Sequence, residues 1–242
     1  MSTYRAVPAN KAPSRRLATW RPTTLREWPG HVATSLRLDG CSFTCPHCSA
    51  TSPAATREPV LDWTEILAHI DSHRDMLDGV VVTGGEPTDD PDLPSLLAAL
   101  KELDITVRLD TNGARPDVLA FLLAEALVDS VALDVKAVPA RYRALSSERD
   151  MPARVMECAD LLRESGVDHE FRTTLIPGVV EPTELPRIAR SLAGGKLYAL
   201  QQFAPPGKDA PAPFSTETLT LAAAACRRFL PTIVRGIDIG ED

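Results

Sequence analysis

Three of the five cysteines in this 242-residue chain crowd into one short stretch, Cys41-Ser42-Phe43-Thr44-Cys45-Pro46-His47-Cys48. Thiolates are soft donors, and three on a tight loop can hold iron or zinc. A structural zinc asks for four ligands, and no fourth cysteine lies nearby. His47 could only strain a tetrahedral site, because it adjoins Cys48. A cubane iron–sulfur cluster held by three cysteines instead leaves one iron open to an exogenous ligand, as a catalytic metal keeps a vacant position. Downstream, Thr83-Gly84-Gly85-Glu86-Pro87 pairs two glycines, which let a backbone approach a ligand where Cβ atoms would clash. Asp110-Thr111-Asn112-Gly113 and Asp134-Val135-Lys136 add carboxylates that could equally be a turn residue and a surface ion pair. His69 and His73 stand one helical turn apart but lack the Glu of a zincin helix, so they read as an exposed helix face. Cys158 and Cys226 lie in apolar helical patterns and read as buried small hydrophobes.

These residues need elements to hold them, and the chain supplies a regular alternation. Strands are expected at 34–38, 79–83, 106–110, 130–135, 169–175 and 196–203, with a short last one at 233–237. Helices are expected at 62–72, 93–103, 117–126, 153–165, 184–192 and 216–230. Asp62 can cap the first helix, and its apolar stripe is Trp63, Ile66, Leu67 and Ile70. The run Gly79-Val80-Val81-Val82-Thr83 suits a strand buried on both faces. About six β-α units in sequence imply a parallel sheet covered by helices. A doubly wound sheet and a barrel fit that pattern equally. A full eightfold barrel uses about 250 residues, so an incomplete (β/α)₆ TIM-like barrel suits this length better. Either way, ligands sit at the carboxyl ends of the strands, where each motif above falls.

Residues 1–30 carry Pro8, Pro13, Pro22 and Pro29 and read as an irregular leader, tied down near Trp20 and Trp28; residues 31–242 form the barrel. The net charge of −7 argues against nucleic acid and against a polybasic membrane surface. No window approaches the roughly 18 apolar residues of a membrane span. Ser14-Arg15-Arg16-Leu17 lacks the apolar run of an export signal. An odd, sparse set of cysteines excludes a disulfide scaffold and points to the cytoplasm. The Pro-rich stretch 205–213 follows the 196–203 strand and reads as a loop near the substrate.

The cysteine loop after the first of these strands resembles the signature of the radical S-adenosylmethionine superfamily. The resemblance implies that Cys41, Cys45 and Cys48 ligate a [4Fe–4S] cluster whose open iron chelates S-adenosylmethionine. An electron from the cluster then yields methionine and a 5′-deoxyadenosyl radical. Gly84, Gly85, Glu86 and Pro87 are similar to the family's GGEP motif at the methionine amino group. Asp110-Thr111-Asn112-Gly113 looks like the DTNG stretch of glycyl-radical activating enzymes, and Asp134 with Lys136 resembles their D-x-K motif. In those relatives such positions approach the cofactor's ribose and carboxylate, and sometimes a monovalent cation. Asn112 shares the first motif. Arg172 resembles a further cofactor contact, and Phe43 and His47 belong to the cofactor side of the cysteine loop.

Within the superfamily, Glu27-Trp28-Pro29-Gly30, the 172–178 segment and Leu200-Gln201-Gln202-Phe203 look like activating proteins of anaerobic ribonucleoside-triphosphate reductase. That implies a glycyl-radical enzyme as partner and a flavodoxin- or ferredoxin-like electron donor. The resemblance departs at His47, where an aromatic residue is usual, and at Ser49-Ala50, where His-Asn is usual. A small-molecule enzyme similar to 7-carboxy-7-deazaguanine synthase is the runner-up. An iron–sulfur electron carrier is the non-enzymatic alternative; it would need four protein ligands per cluster and no GGEP.

Overall fold

The computed structural model describes residues 17–45, 62–205 and 210–236. Eight strands alternate with six helices among them: β1 (Leu17–Thr24), β2 (Ala33–Leu38), α1 (Trp63–His73), β3 (Gly79–Gly84), α2 (Leu93–Lys101), β4 (Val107–Thr111), α3 (Pro116–Ala124), β5 (Ser130–Asp134), α4 (Met151–Ser165), β6 (Asp168–Leu175), α5 (Leu185–Ser191), β7 (Tyr198–Gln202), α6 (Thr216–Cys226) and β8 (Thr232–Arg235). The strands follow one another in the sheet in chain order, β1 to β8. A doubly wound sheet reverses its order at a switch point; this one does not. The order ends at β8 without returning to β1, so the topology is that of an unclosed β/α barrel wall. Six β/α units run from β2 to α6, as the sequence pattern implies.

Local chemistry explains the elements. Val80, Val81 and Val82 of β3 are fully buried, as a continuous apolar run requires. Asp62 caps α1 by accepting from the Thr64 amide at 2.8 Å. Met151, Val155, Cys158, Ala159 and Leu162 make one buried stripe along α4, and Gly166 at φ 74° ends that helix. The start of α5 differs from expectation. The helix expected from residue 184 is preceded by a short 3₁₀ turn, Pro182–Glu184, where Glu181 with Glu184 forms a capping box.

The leader read as irregular over 1–30 is corrected within the described residues, because Leu17–Thr24 forms β1 and pairs antiparallel with β2. Pro22 is tolerated because β1 is an edge strand, where a missing N–H costs no ladder bond; its carbonyl accepts from Thr34 Oγ1. Trp28 is buried against Ala33 and Val81 and anchors the following segment. Trp20 meets the His69 ring edge-on at 5.2 Å, so His69 is not on an exposed face; His73, stacked on it, is.

The chain packs as two compact units. The first carries β1 to β4 with α1, α2 and most of α3. The second carries most of β5, then β6 to β8 with α4 to α6, together with residues 43–45 and 112–116.

Candidate functional site

In the first unit, the turn after β3 is laced to the loop that begins the cysteine array. The Gly85 amide donates to the Leu38 carbonyl and the Glu86 amide to the Gly40 carbonyl, both at 2.8 Å. This explains the paired glycines. A Cβ on Gly84, at φ 127°, would lie 2.2 Å from the Leu38 oxygen, and one on Gly85 would lie 1.9 Å from the Gly40 oxygen. The close approach that excludes side chains here is therefore to the cysteine loop's own backbone. Asp89, in a 3₁₀ turn begun by Pro87, accepts from the Ser42 amide at 2.9 Å and fixes the loop beside Cys41.

Glu86 is 1% exposed. Its Oε1 accepts from Thr88 Oγ1 at 2.5 Å, Thr111 Oγ1 at 2.6 Å and the Thr88 amide at 3.1 Å. The side chain thus ties the ends of β3 and β4. Asp110, on β4, accepts from Arg108 Nε at 3.2 Å and Thr83 Oγ1 at 3.3 Å. The Arg108 guanidinium lies over the Trp28 ring, 5.7 Å from its centroid.

In the second unit, the rest of the described cysteine loop docks on the turn after β5. Thr44 donates its amide to the Leu145 carbonyl at 2.9 Å, and the buried Phe43 ring meets Tyr142 edge-on at 6.4 Å. The Tyr142 hydroxyl accepts from the Lys136 amide, and burial pushes its pKa up to about 12. Asp134 ends β5. Its two oxygens accept from Arg172 Nε at 2.8 Å and Lys136 Nζ at 3.1 Å. Burial alone would raise the Asp134 pKa, but the Arg172 guanidinium and Lys136 ammonium outweigh it and hold it down to about 2. Lys136 is pushed the other way: desolvation opposes its charge, and Asp134 together with the Cys45 thiol raises its pKa. Asn112 turns back on its own loop, accepting from the Ala114 amide at 2.9 Å.

The structure therefore brings Cys41's loop together with Gly84, Gly85 and Glu86, and Asp134 together with Lys136 and Arg172. Cys48 and His47 lie outside the described residues, as do 206–209 of the Pro-rich stretch. Arg172 stands in the middle of β6 rather than at its end. Sequence reasoning missed Asp89, Arg108, Thr111 and Tyr142, which hold the expected residues in place. Only Thr111 carried a signal, through its place in the DTNG stretch. Cys158 and Cys226 are buried in α4 and α6 as expected, and burial pushes the Cys226 thiol up to about 11.

The profile of the radical SAM superfamily matches residues 36–189, more than half of the chain. A Methanocaldococcus jannaschii protein with the provisional name glycyl-radical enzyme activating enzyme is 32% identical over 189 residues, 76% of this chain and 77% of that protein. The 7-carboxy-7-deazaguanine synthase of Methanopyrus kandleri is 28% identical over 128 residues, 44% of this chain and 50% of its own. Among solved structures, Streptococcus suis SuiB superposes with a TM-score of 0.64 at 16% identity, over 84% of this chain. The chain spans about half of the SuiB chain, 48%. No helix among the described residues is long and apolar enough to cross a membrane. With a family profile over more than half of its length and a relative 32% identical over three quarters of it, the chain belongs to the radical SAM superfamily of enzymes.

Proposed function

We propose that this enzyme cleaves S-adenosylmethionine reductively at a [4Fe–4S] cluster and takes a hydrogen atom from a glycine Cα of a partner glycyl-radical enzyme. The observation that carries the activase reading is the similarity to the Methanocaldococcus jannaschii protein, which extends over three quarters of both chains. The described residues fit the cluster. Cys41 is exposed and Cys45 half-buried, neither is in a disulfide, and both follow the first parallel strand. Cys41, Cys45 and Cys48 would hold the cluster, which when bound supplies the electron that releases a 5′-deoxyadenosyl radical from S-adenosylmethionine.

The chain's own groups do the positioning. The backbone at Gly84, Gly85 and Glu86, with Pro87 fixing the turn, would bind the methionine end. Lys136 and Arg172 both pair with Asp134 and bring positive charge to it, which suits an amino-acid carboxylate. Asp110, Asn112 and Asp134 would orient the ribose, and Phe43 and His47 would serve as further cofactor contacts. The electron donor would be a flavodoxin- or ferredoxin-like protein. Thiols that must stay reduced place the work in a reducing compartment such as the cytoplasm.

Two measurements test the reading in sequence. Anaerobically reconstituted and reduced protein should form 5′-deoxyadenosine, and Cys45→Ala should abolish it; normal formation by that variant overturns the ligand assignment. A candidate glycyl-radical enzyme should then develop a glycyl radical signal in electron spin resonance. 5′-Deoxyadenosine without that signal favours a small-molecule substrate, the second reading supported by the shorter match to 7-carboxy-7-deazaguanine synthase.

A further inference from the structure

The family resemblance sometimes places a monovalent cation near the carboxylates that end β4 and β5. A cation site is a set of oxygen donors whose negative charge is not otherwise neutralised. Neither carboxylate here meets that description. In the first unit, the Asp110 side chain is 9% exposed and the Arg108 side chain 4%, with Arg108 Nε 3.2 Å from the carboxylate. A guanidinium is rarely so buried unless it is paired. The Trp28 ring beneath it and the Thr83 hydroxyl on the other carboxylate oxygen complete the arrangement. A metal cation brought to Asp110 would have to share the carboxylate that already pairs with the buried Arg108 guanidinium.

The second unit reaches the same end with a different set of groups. Asp134 offers one oxygen to Arg172 at 2.8 Å and the other to Lys136 at 3.1 Å. The Lys136 amide is itself held by the Tyr142 hydroxyl, which fixes the backbone from which the ammonium reaches Asp134. A potassium or sodium ion here would be a third positive charge on a single carboxylate, and would have to shed water to get there.

We infer that the chain carries these counter-ions as side chains, Arg108 for Asp110 and Arg172 with Lys136 for Asp134, so that S-adenosylmethionine binding does not require a monovalent cation. The inference rests on the proposed reading that both carboxylates face that cofactor. It gives Arg108 a positioning role that the sequence motifs do not assign, and it makes Trp28 the support on which that role depends.

The test is anaerobic calorimetry of S-adenosylmethionine binding to the cluster-loaded chain with the cluster oxidised, in potassium, sodium or tetramethylammonium chloride at equal ionic strength. The dissociation constant should agree within about twofold across the three salts; tightening by about fivefold or more in potassium or sodium overturns the inference. Arg172→Met and Arg108→Met should each bind about tenfold more weakly in tetramethylammonium and recover part of the loss in potassium. Arg172→Lys should remain indifferent to the salt. Loss of affinity in both Met variants that potassium does not touch also overturns it. Thermal unfolding of the same variants in the same salts supplies a readout where binding is too weak to measure, with potassium expected to stabilise the Met variants alone. Asp110→Asn and Asp134→Asn separate the two layers of the argument. If both bind as tightly as the unsubstituted chain, the cofactor-facing reading fails and takes the inference with it. If either binds weakly while the unsubstituted chain responds to potassium, the reading stands and only the counter-ion inference falls.

Discussion

Two carboxylates, Glu86 after β3 and Asp134 at the end of β5, are handled in opposite ways. Glu86 is sealed from solvent and takes hydrogen bonds from two hydroxyls and an amide. Asp134 stays about a quarter exposed, with a guanidinium on one oxygen and an ammonium on the other. The first arrangement fastens strand ends together, since a buried carboxylate satisfied by donors from two loops fixes both. The second keeps charged groups within reach of solvent, where they can meet a ligand. Conspicuous acidic residues in neighbouring motifs can thus serve architecture in one place and recognition in another.

The comparison can be broken most severely at Gly85. Gly85→Ala forces a methyl group onto the Gly40 backbone, so it should cost about 3 kcal/mol or more and release the cysteine loop. Thermal unfolding, together with iron content after reconstitution, checks this; an unchanged melting temperature would show that the loop can move aside. Glu86→Ala comes next, at about 2–3 kcal/mol, because buried donors on Thr88 and Thr111 lose their acceptor. Glu86→Gln should recover roughly half of that loss in urea unfolding, since the amide oxygen still accepts. If Glu86 instead bound ligand directly, Gln would be as harmful to activity as Ala and nearly neutral for stability.

Asp134→Asn should cost less, at most about 2 kcal/mol at neutral pH, and should carry a pH signature. The folded pKa near 2 lies below the ordinary value of 3.8. The stability Asp134 contributes is therefore fully present above about pH 5 and disappears as pH falls through 4 toward 2. Acid titrations of stability should be shallower for Asp134→Asn in that window; parallel curves would contradict the ion-pair account. The smallest effect is expected away from both carboxylates. Lys101 bonds both oxygens of Asp129 at 2.8 and 2.9 Å on a half-exposed surface, and Lys101→Met should cost under about 1 kcal/mol. That variant calibrates what an ordinary surface pair contributes.

Much of this was legible in the residues. The alternation of apolar runs and helical stripes yields six β/α units with boundaries close to those observed, because buried strands and amphipathic helices leave strong periodic signals. The strand at Leu17–Thr24 was hidden by Pro22, which matters little on a sheet edge. The roles of Glu86 and Arg108 were not legible. Each is decided by partners on another strand or turn: Thr111 on β4 for Glu86, and Trp28 in the segment before β2 for Arg108.

The sequence by itself determined the type of chemistry, since three soft donors at fixed spacing and a glycine pair one β/α unit later lie within reach of local inspection. It also determined that the architecture is built from parallel β/α units. Only the tertiary structure decided that the strands follow one another without reversal, that the glycines are spent on the cysteine loop's backbone, and which acid is fastened and which is ion-paired. The physical reason is range. Spacing and periodicity are properties of neighbouring residues, whereas the charge state, burial and orientation of a side chain are set by whatever distant segment the fold packs against it.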